Sequence, residues 1–270
     1  MALPRQADPS ASPAALFGAE VRRLREAQGW SQDTLGDKLN YSGQLVGLVE
    51  NARRTPSREF AETCDMLFNT DGLLMRIWPL VLTHNVPAWF KGYVELESTS
   101  SRIETFECQN VPGLLQTEEC ARAMISAYWP LADVDQQVTT RLERQRRVLS
   151  PTGPTVWVVV DESVLRRPIG SADAWREQLK HLADTALSRR IVLQVLPFSV
   201  GVHGCTDGNM TLLGFTEGHD VVYADGPGGG RLIEQPEEVE NCRYRYNLVR
   251  AAALSPAASV GLITAAMEEA

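Results

Sequence analysis

The sequence has no apolar run of roughly 18 residues or more, the length a membrane-spanning helix requires. Nor does it hold a Cys-x-x-Cys pair. Its cysteines (Cys64, Cys108, Cys120, Cys205, Cys242) are scattered and odd in number, which argues against a zinc site or a disulfide framework and fits reduced cytosolic thiols. No phosphate-cradling glycine signature is present, because Gly226 to Gly230 precedes an expected hairpin rather than a helix. Positive charge is also in short supply. The chain carries 26 Lys and Arg against 34 Asp and Glu, for a net charge of −8. Residues 14–83 hold eight basic and nine acidic side chains; residues 84–270 hold seventeen and twenty-four. Nucleic-acid binders are usually basic on one face, so few phosphate contacts, modest affinity and a shallow salt dependence are expected of one copy. The first residues are rich in Ala, Pro and Ser without an apolar core, so residues 1–13 read as a flexible tail rather than a signal peptide. What remains is ordinary globular material, 44% hydrophobic and 22% charged over 270 residues, enough for two domains.

Residues 14–83 have the spacing of five short helices. Phe17, Val21, Leu24 and Gln28 recur at helical intervals and predict a first helix, with Gly29 suited to a left-handed cap. Ser31 is a fit N-cap for a second helix carrying Leu35 and Leu39 inward. Asn40 stands where the next turn needs a positive φ, a region it tolerates better than any residue but glycine. Ser42 caps a third helix with Val46 and Val49 inward. Thr55-Pro56 is expected to open a fourth helix, proline taking the first helical position, with Phe60, Cys64, Leu67 and Phe68 as its stripe. Leu74, Ile77, Trp78 and Val81 mark a fifth. Two short helices joined by a three-residue turn form the helix-turn-helix layout, which sets one helix into the major groove of DNA.

The order Trp30-Ser31-Gln32, Leu35, Leu39-Asn40-Tyr41-Ser42, Val46, Val49-Glu50-Asn51 and Arg53-Arg54-Thr55-Pro56 resembles the lambda-repressor/Cro-like (XRE) DNA-binding domain over residues 15–83. That resemblance implies a phosphate clamp at Gln32, base reading from Ser42, Gly43, Gln44, Gly47 and Leu48, and backbone contacts from Asn51, Arg53 and Arg54. It also implies that Glu50 is a partly buried structural acid paired with Arg25, and Trp30 a core residue. Three departures stand out. Only Gln44 offers a two-pronged hydrogen bond to an adenine edge, a contact worth roughly 1–3 kcal/mol of discrimination. Leu48 replaces the polar or basic side chain usual there, and the two glycines weaken the helix by about 1 kcal/mol each against alanine. Specificity is then expected to lean on DNA shape, dimer spacing or a partner.

Residues 84–270 read as a mixed α/β domain. His84 to Tyr93 is expected to be a packed connector and Ser98 to Ser101 a loop. A weak strand follows at Arg102–Cys108, then helices from Thr117 to Trp129, stopped by Pro130, and from an Asp133 cap to Leu149. Arg141, Arg144, Arg146 and Arg147 on the latter are either a solvated face with internal salt bridges or a second DNA or partner patch. Thr155–Val160 is a continuous apolar β-branched run, as in a strand buried on both faces; after a helix over 171–187, Ile191–Leu196 reads as a second buried strand. Further strands are expected at Met210–Phe215, Val221–Ala224 and Arg231–Glu234. Helices follow from Pro236 to Ala253 and to about Met267. Strand–helix–strand and then a meander predict a mixed sheet flanked by helices. Val111 to Thr117, Asp161-Glu162 with Leu165-Arg166-Arg167, Val195 to Phe198 with Gly201 and His203, and Val221-Val222-Tyr223 together resemble the C-terminal domain of actinobacterial WhiJ-like regulators over residues 87–268. The resemblance implies an antitoxin-like organisation and a small partner protein; it transfers no chemistry.

Within that domain His203, Cys205 and Asp207 alternate in a glycine-bearing loop that His219-Asp220 and Asp161-Glu162 could approach. A cysteine–histidine pair suits nucleophilic catalysis if the thiol is ionised; His203, Asp207 and His219 could bind a metal. The plainer alternative is a glycine turn with a hydrogen-bonded histidine, and a ligand pocket lies between the two. The reading as a whole is an all-α five-helix helix-turn-helix domain (14–83) followed by an α/β regulatory or interaction domain (84–270). It describes a cytoplasmic, nucleoid-associated, homodimeric transcription regulator of double-stranded DNA, without cofactor, metal, membrane contact or enzymatic activity. Its rivals are an antitoxin-like module that binds a small basic protein, with weak or partner-dependent DNA binding, and an enzyme targeted by its helix-turn-helix.

Overall fold

The computed structural model describes residues 8–84, 88–128, 134–187, 191–226 and 229–270, with backbone only at 83, 84, 88 and 89. The expected features at residues 1–7, Asn85 to Pro87, Pro130, Asp133 and Pro227-Gly228, and the Trp89 side chain, lie outside the described residues. Two compact units emerge: residues 1–86 with 131–143, and residues 87–130 with 144–270.

The first unit opens with a turn. Asp8 accepts hydrogen bonds from the backbone N–H and hydroxyl of Ser10, and Ser12 caps α1 (Pro13–Ala27). The rest is α2 (Gln32–Leu39), α3 (Gly43–Glu50), α4 (Arg58–Phe68) and α5 (Leu73–His84). Phe17, Val21, Leu35, Leu39, Val46 and Val49 join Phe60, Cys64, Leu74 and Trp78 in one buried core. Three serines cap as their chemistry predicts: Ser31, Ser42 and Ser57 accept from the N–H groups of Thr34, Leu45 and Phe60. Ser57 displaces the expected start at Thr55-Pro56. Pro56 stays outside the helix, with its carbonyl accepting the Trp78 indole N–H at 3.0 Å. Gly29 (φ 69°) and Asn40 (φ 59°) take the left-handed positions that close α1 and α2. Trp30-N to Arg25-O and Tyr41-N to Gly36-O bonds complete both caps, satisfying carbonyls the helix ends leave open.

The second unit is built on a six-stranded sheet: β1 (Arg102–Glu107), β2 (Thr155–Asp161), β3 (Ile191–Leu196), β4 (Met210–Gly214), β5 (Val221–Ala224) and β6 (Arg231–Ile233), in the order β3-β2-β1-β4-β5-β6. β1–β2–β3 are parallel and β1–β4–β5–β6 antiparallel. The strand with the weakest sequence pattern is a central one. Its period is blurred by Glu104 and Thr105, which are buried but satisfied: Arg102, Arg243 and Arg250 surround the carboxylate at 3.1, 3.4 and 3.2 Å, and the two hydroxyls Thr105 and Thr211 bond at 2.9 Å.

The helices of this unit are α6 (Ala88–Thr99), α7 (Glu118–Tyr128), the end of α8 (Val134–Val148), α9 (Glu162–Leu165), α10 (Ala172–Ala186), α11 (Pro236–Ala252) and α12 (Pro256–Glu268). α11 covers one sheet face, with Val239, Tyr246 and Val249 packed on Phe106, Val159, Leu212 and Val222. The connector and loop expected at 84–101 are instead largely helix α6. Its Tyr93, Val94 and Glu97 are buried at helical spacing, and Phe90 and Tyr93 pack on Tyr223 at 5.6 and 4.5 Å. The β3 edge is closed by the chain itself: Leu254 N–H donates to the Val195 carbonyl, and Ser259 Oγ accepts from the Val195 N–H, both at 2.9 Å. This blunts a template for strand addition. Among the described residues no single helix is long and apolar enough to cross a membrane; α11 and α12 pass that test only as a pair bent by 72°.

Candidate nucleic-acid interface

α3 is held by a charged knot beneath it. Glu50, the last residue of α3, has a side chain with no exposed surface. Arg25 of α1 meets it with two hydrogen bonds, Nε–Oε1 at 2.5 Å and Nη2–Oε2 at 3.0 Å, as the family resemblance implied. The carboxylate raises the Arg25 guanidinium pKa against the opposing cost of burial. Arg22 lies 3.5 Å from Glu50, and its Nη2 donates to Asn51 Oδ1 at 2.9 Å. The Gln32 side chain turns into the same knot, donating to Glu50 Oε2 at 2.8 Å. A buried carboxylate so surrounded is compensated, and it locks α1, α2 and α3 together.

The sequence-predicted DNA-facing residues therefore divide. Gln44, Arg53 and Arg54 are exposed, and no hydrogen bond or ion pair of their side chains holds them among the described residues. Ser42 is exposed, but its hydroxyl caps α3 through the Leu45 N–H at 3.2 Å. Gln32 is occupied by Glu50. Asn51 donates to the Gly47 carbonyl at 2.7 Å while accepting from Arg22. Leu48 is half-buried. Gly43 and Gly47 sit against α2: a Cβ on Gly43 would lie 1.9 Å from Asp33 Oδ1, and one on Gly47 would lie 2.9 Å from Gln32 Oε1. Asp33, with its exposed carboxylate beside the start of α3, is a neighbour that no sequence motif flags; its closeness depends on the missing Gly43 side chain. The turn after α3 also carries Ala52 at φ 55°, a left-handed residue stabilised by the Arg53 N–H to Leu48 carbonyl bond at 2.8 Å.

The second candidate site assembles only in part. His203 Nδ1 accepts the Cys205 N–H at 3.3 Å, and its Nε2 lies 3.9 Å from Asp161 Oδ2. Its ring meets Phe106 edge-on at 5.3 Å. Cys205 is fully buried, and burial pushes its thiol up to about 11. Roughly one molecule in ten thousand would then be thiolate at neutral pH, which is the reverse of an activated nucleophile. Asp207 pairs with Arg245, and Asp220 goes to Arg102 and Arg243 instead of the loop. Among the described residues no three His, Cys, Asp or Glu side chains are grouped to hold a metal ion. In the basic run of α8, Arg144 is an internal partner: its Nε lies 3.0 Å from the buried Glu97, and its guanidinium lies over the Phe90 ring at 5.2 Å.

Comparison with protein families adds two findings. Residues 16–77 match the model of a helix-turn-helix domain. Residues 90–265, well over half the chain, match the model described as a domain of unknown function, DUF5753. The chain belongs to the DUF5753 family. No curated protein and no solved structure matches it. The DUF5753 domain coincides with the sheet and its helices, from Phe90 in α6 into α12. The helix-turn-helix domain marks the chain as a DNA-binding regulator in general terms.

Proposed function

We propose that this DUF5753 protein is a transcription regulator of the XRE type, organised like the WhiJ-like regulators of actinobacteria. In this reading the exposed end of α3 enters the major groove of operator DNA. One observation carries it: Gln44, Arg53 and Arg54 are left exposed and, among the described residues, without internal partners, on a helix and its following turn fixed from below by the Glu50 knot. Gln44 reads an adenine edge and the two arginines neutralise phosphates; Ser42, Gly43, Gly47 and Leu48 bring the backbone close. Gln32 and Asn51 act first as scaffold and reach phosphate only by leaving their present partners. So thin a recognition surface on an acidic chain calls for two copies, and a homodimer would set two such helices about 34 Å apart. The DUF5753 domain supplies dimerisation or control by a small basic protein or a ligand, in a cytoplasmic, nucleoid-associated setting.

The test is DNA capture with the whole protein, followed by salt titration on the recovered site. Replacing Arg53 and Arg54 with Ala weakens binding and reduces the slope of log affinity against log salt by about one for each phosphate no longer neutralised. An unchanged slope removes both arginines from the interface. The antitoxin-like reading is favoured by the same acidic charge. It predicts that DNA is bound only when a small basic protein co-purifies.

A further inference from the structure

Helix α12 carries no charge on any side. From Pro256 to Met267 it holds no Asp, Glu, Lys or Arg. Its two hydroxyls, Ser259 and Thr264, donate to the Ser255 and Val260 carbonyls one turn back, both at 2.9 Å. A helix without a charged face is normally buried all round. Among the described residues α12 packs on β3 and α10 and buries Ser259, Ile263 and Ala266, whereas Ala257, Ala258, Gly261 and Ala265 are exposed. The same surface continues onto α11, where Tyr244 and Leu248, one turn apart, are 64% and 48% exposed. Eleven residues from Tyr244 to Met267 are exposed and none is charged, although 22% of the chain is charged and such residues gather at surfaces. The two arginines of this stretch are engaged elsewhere, Arg245 by Gly204 and Asp207 and Arg250 by Glu104. Charge then decides the occupant. Residues 84–270 carry seventeen basic and twenty-four acidic side chains. A second copy, equally acidic, meets no like charge on this face. A basic protein finds no carboxylate here to pair with.

We propose that the outer face of α11 and α12, from Tyr244 to Ala265, is the contact between two copies of this chain, isologous across a two-fold axis. It gives the proposed homodimer, on which it rests, a surface. The face follows about 33 Å of helix contour at about 10 Å width, less than the roughly 800 Å² per partner of a standard interface, so association is weak, in the micromolar range. Sedimentation of the whole protein without DNA, from about 1 to about 100 µM, shows a monomer passing to a dimer. Gly261 supplies the decisive variant, because a Cβ there would meet nothing within 4 Å. Gly261→Glu sets a carboxylate on this face of each copy and raises the dissociation constant by about tenfold or more, while circular dichroism and the urea midpoint are retained. Ala265→Glu, on the same exposed side, does likewise. Thr216→Glu, the same charge in the exposed loop between β4 and β5, leaves dimerisation as it was; equal dissociation by all three changes would assign the effect to net charge and not to this face. If the chain is monomeric across the range, the assignment is wrong and the homodimer falls with it, DNA binding by α3 being untouched. If a dimer forms and both α12 variants leave it as tight, the homodimer stands and this face is not its interface. Flotation of a monomeric chain with phosphatidylcholine vesicles, lost in Gly261→Glu, would give the face to a bilayer instead.

Discussion

Glu50 is compensated by Arg25, Arg22 and Gln32, and removing one partner of such a group costs about 3–5 kcal/mol. Arg25→Met should therefore lower the unfolding free energy, measured by urea titration, by about 3 kcal/mol, since Arg22 and Gln32 remain. Arg25→Met combined with Glu50→Leu should recover most of the loss. A neutral effect of the single change would mean the knot contributes nothing. Asp65 acts similarly in capping α5 from a distance, accepting the Leu74 and Met75 N–H groups at 2.9 Å each. Glu107, at the end of β1, behaves in the opposite sense. Burial, with Asp225 nearby, pushes its carboxyl from 4.5 up to about 8. The folded chain then keeps a proton that the unfolded chain has released, so stability falls as pH rises from about 5 to 8 and levels off above. Glu107→Gln should flatten that decline, as measured by denaturation midpoints across the interval. If the decline is equally steep in the variant, Glu107 is not its source.

Elements meet here at spacings that forbid side chains. A Cβ on Gly36 would lie 2.6 Å from the Tyr41 carbonyl oxygen. Seen alone, glycine within α2 looks like a helix weakness of about 1 kcal/mol against alanine; in place, it lets the three-residue turn fold back on α2. Gly36→Ala should thus destabilise by about 1–3 kcal/mol through overpacking, against the propensity trend, and a raised melting temperature would refute the close approach. The same reversal accounts for Gly43, whose proximity to Asp33 is invisible to helix propensity. Strands show the complementary limit. β2 and β3 are legible because apolar residues dominate them, with Gln194 the one polar interruption in β3, whereas β1 is not, because Glu104 and Thr105 break its pattern and are satisfied by Arg243, Arg250 and Thr211, distant in the chain. Helix α6 is a different omission: Tyr93, Val94 and Glu97 do carry its period, but the aromatic run around them resembles a connector.

Across the whole chain, the first compact unit draws on sequence beyond α5. Residues 131–143 group with it, and Glu143 Oε1 accepts the Arg58 N–H at 3.4 Å, so the boundary falls within α8 rather than at the single cut near residue 84 that the sequence suggests. A fragment of residues 8–84 should accordingly unfold at lower urea than residues 13–82 within the full protein, followed by hydrogen exchange of the Phe60 and Cys64 amides. Equal protection in both would show that α8 adds nothing. The five helices, the Ser31 and Ser42 caps and the left-handed Asn40 could be read from the linear order of residues, because each rests on local periodicity or on a backbone preference carried by one residue type. The Arg25–Glu50 pair followed from the family pattern those same elements carry. The strand order and the burial of Cys205 arise from contacts between positions tens to hundreds of residues apart. So does the diversion of Gln32 and Asn51 from the expected interface into the scaffold. No local preference encodes which of several possible partners a polar side chain will meet; packing settles that.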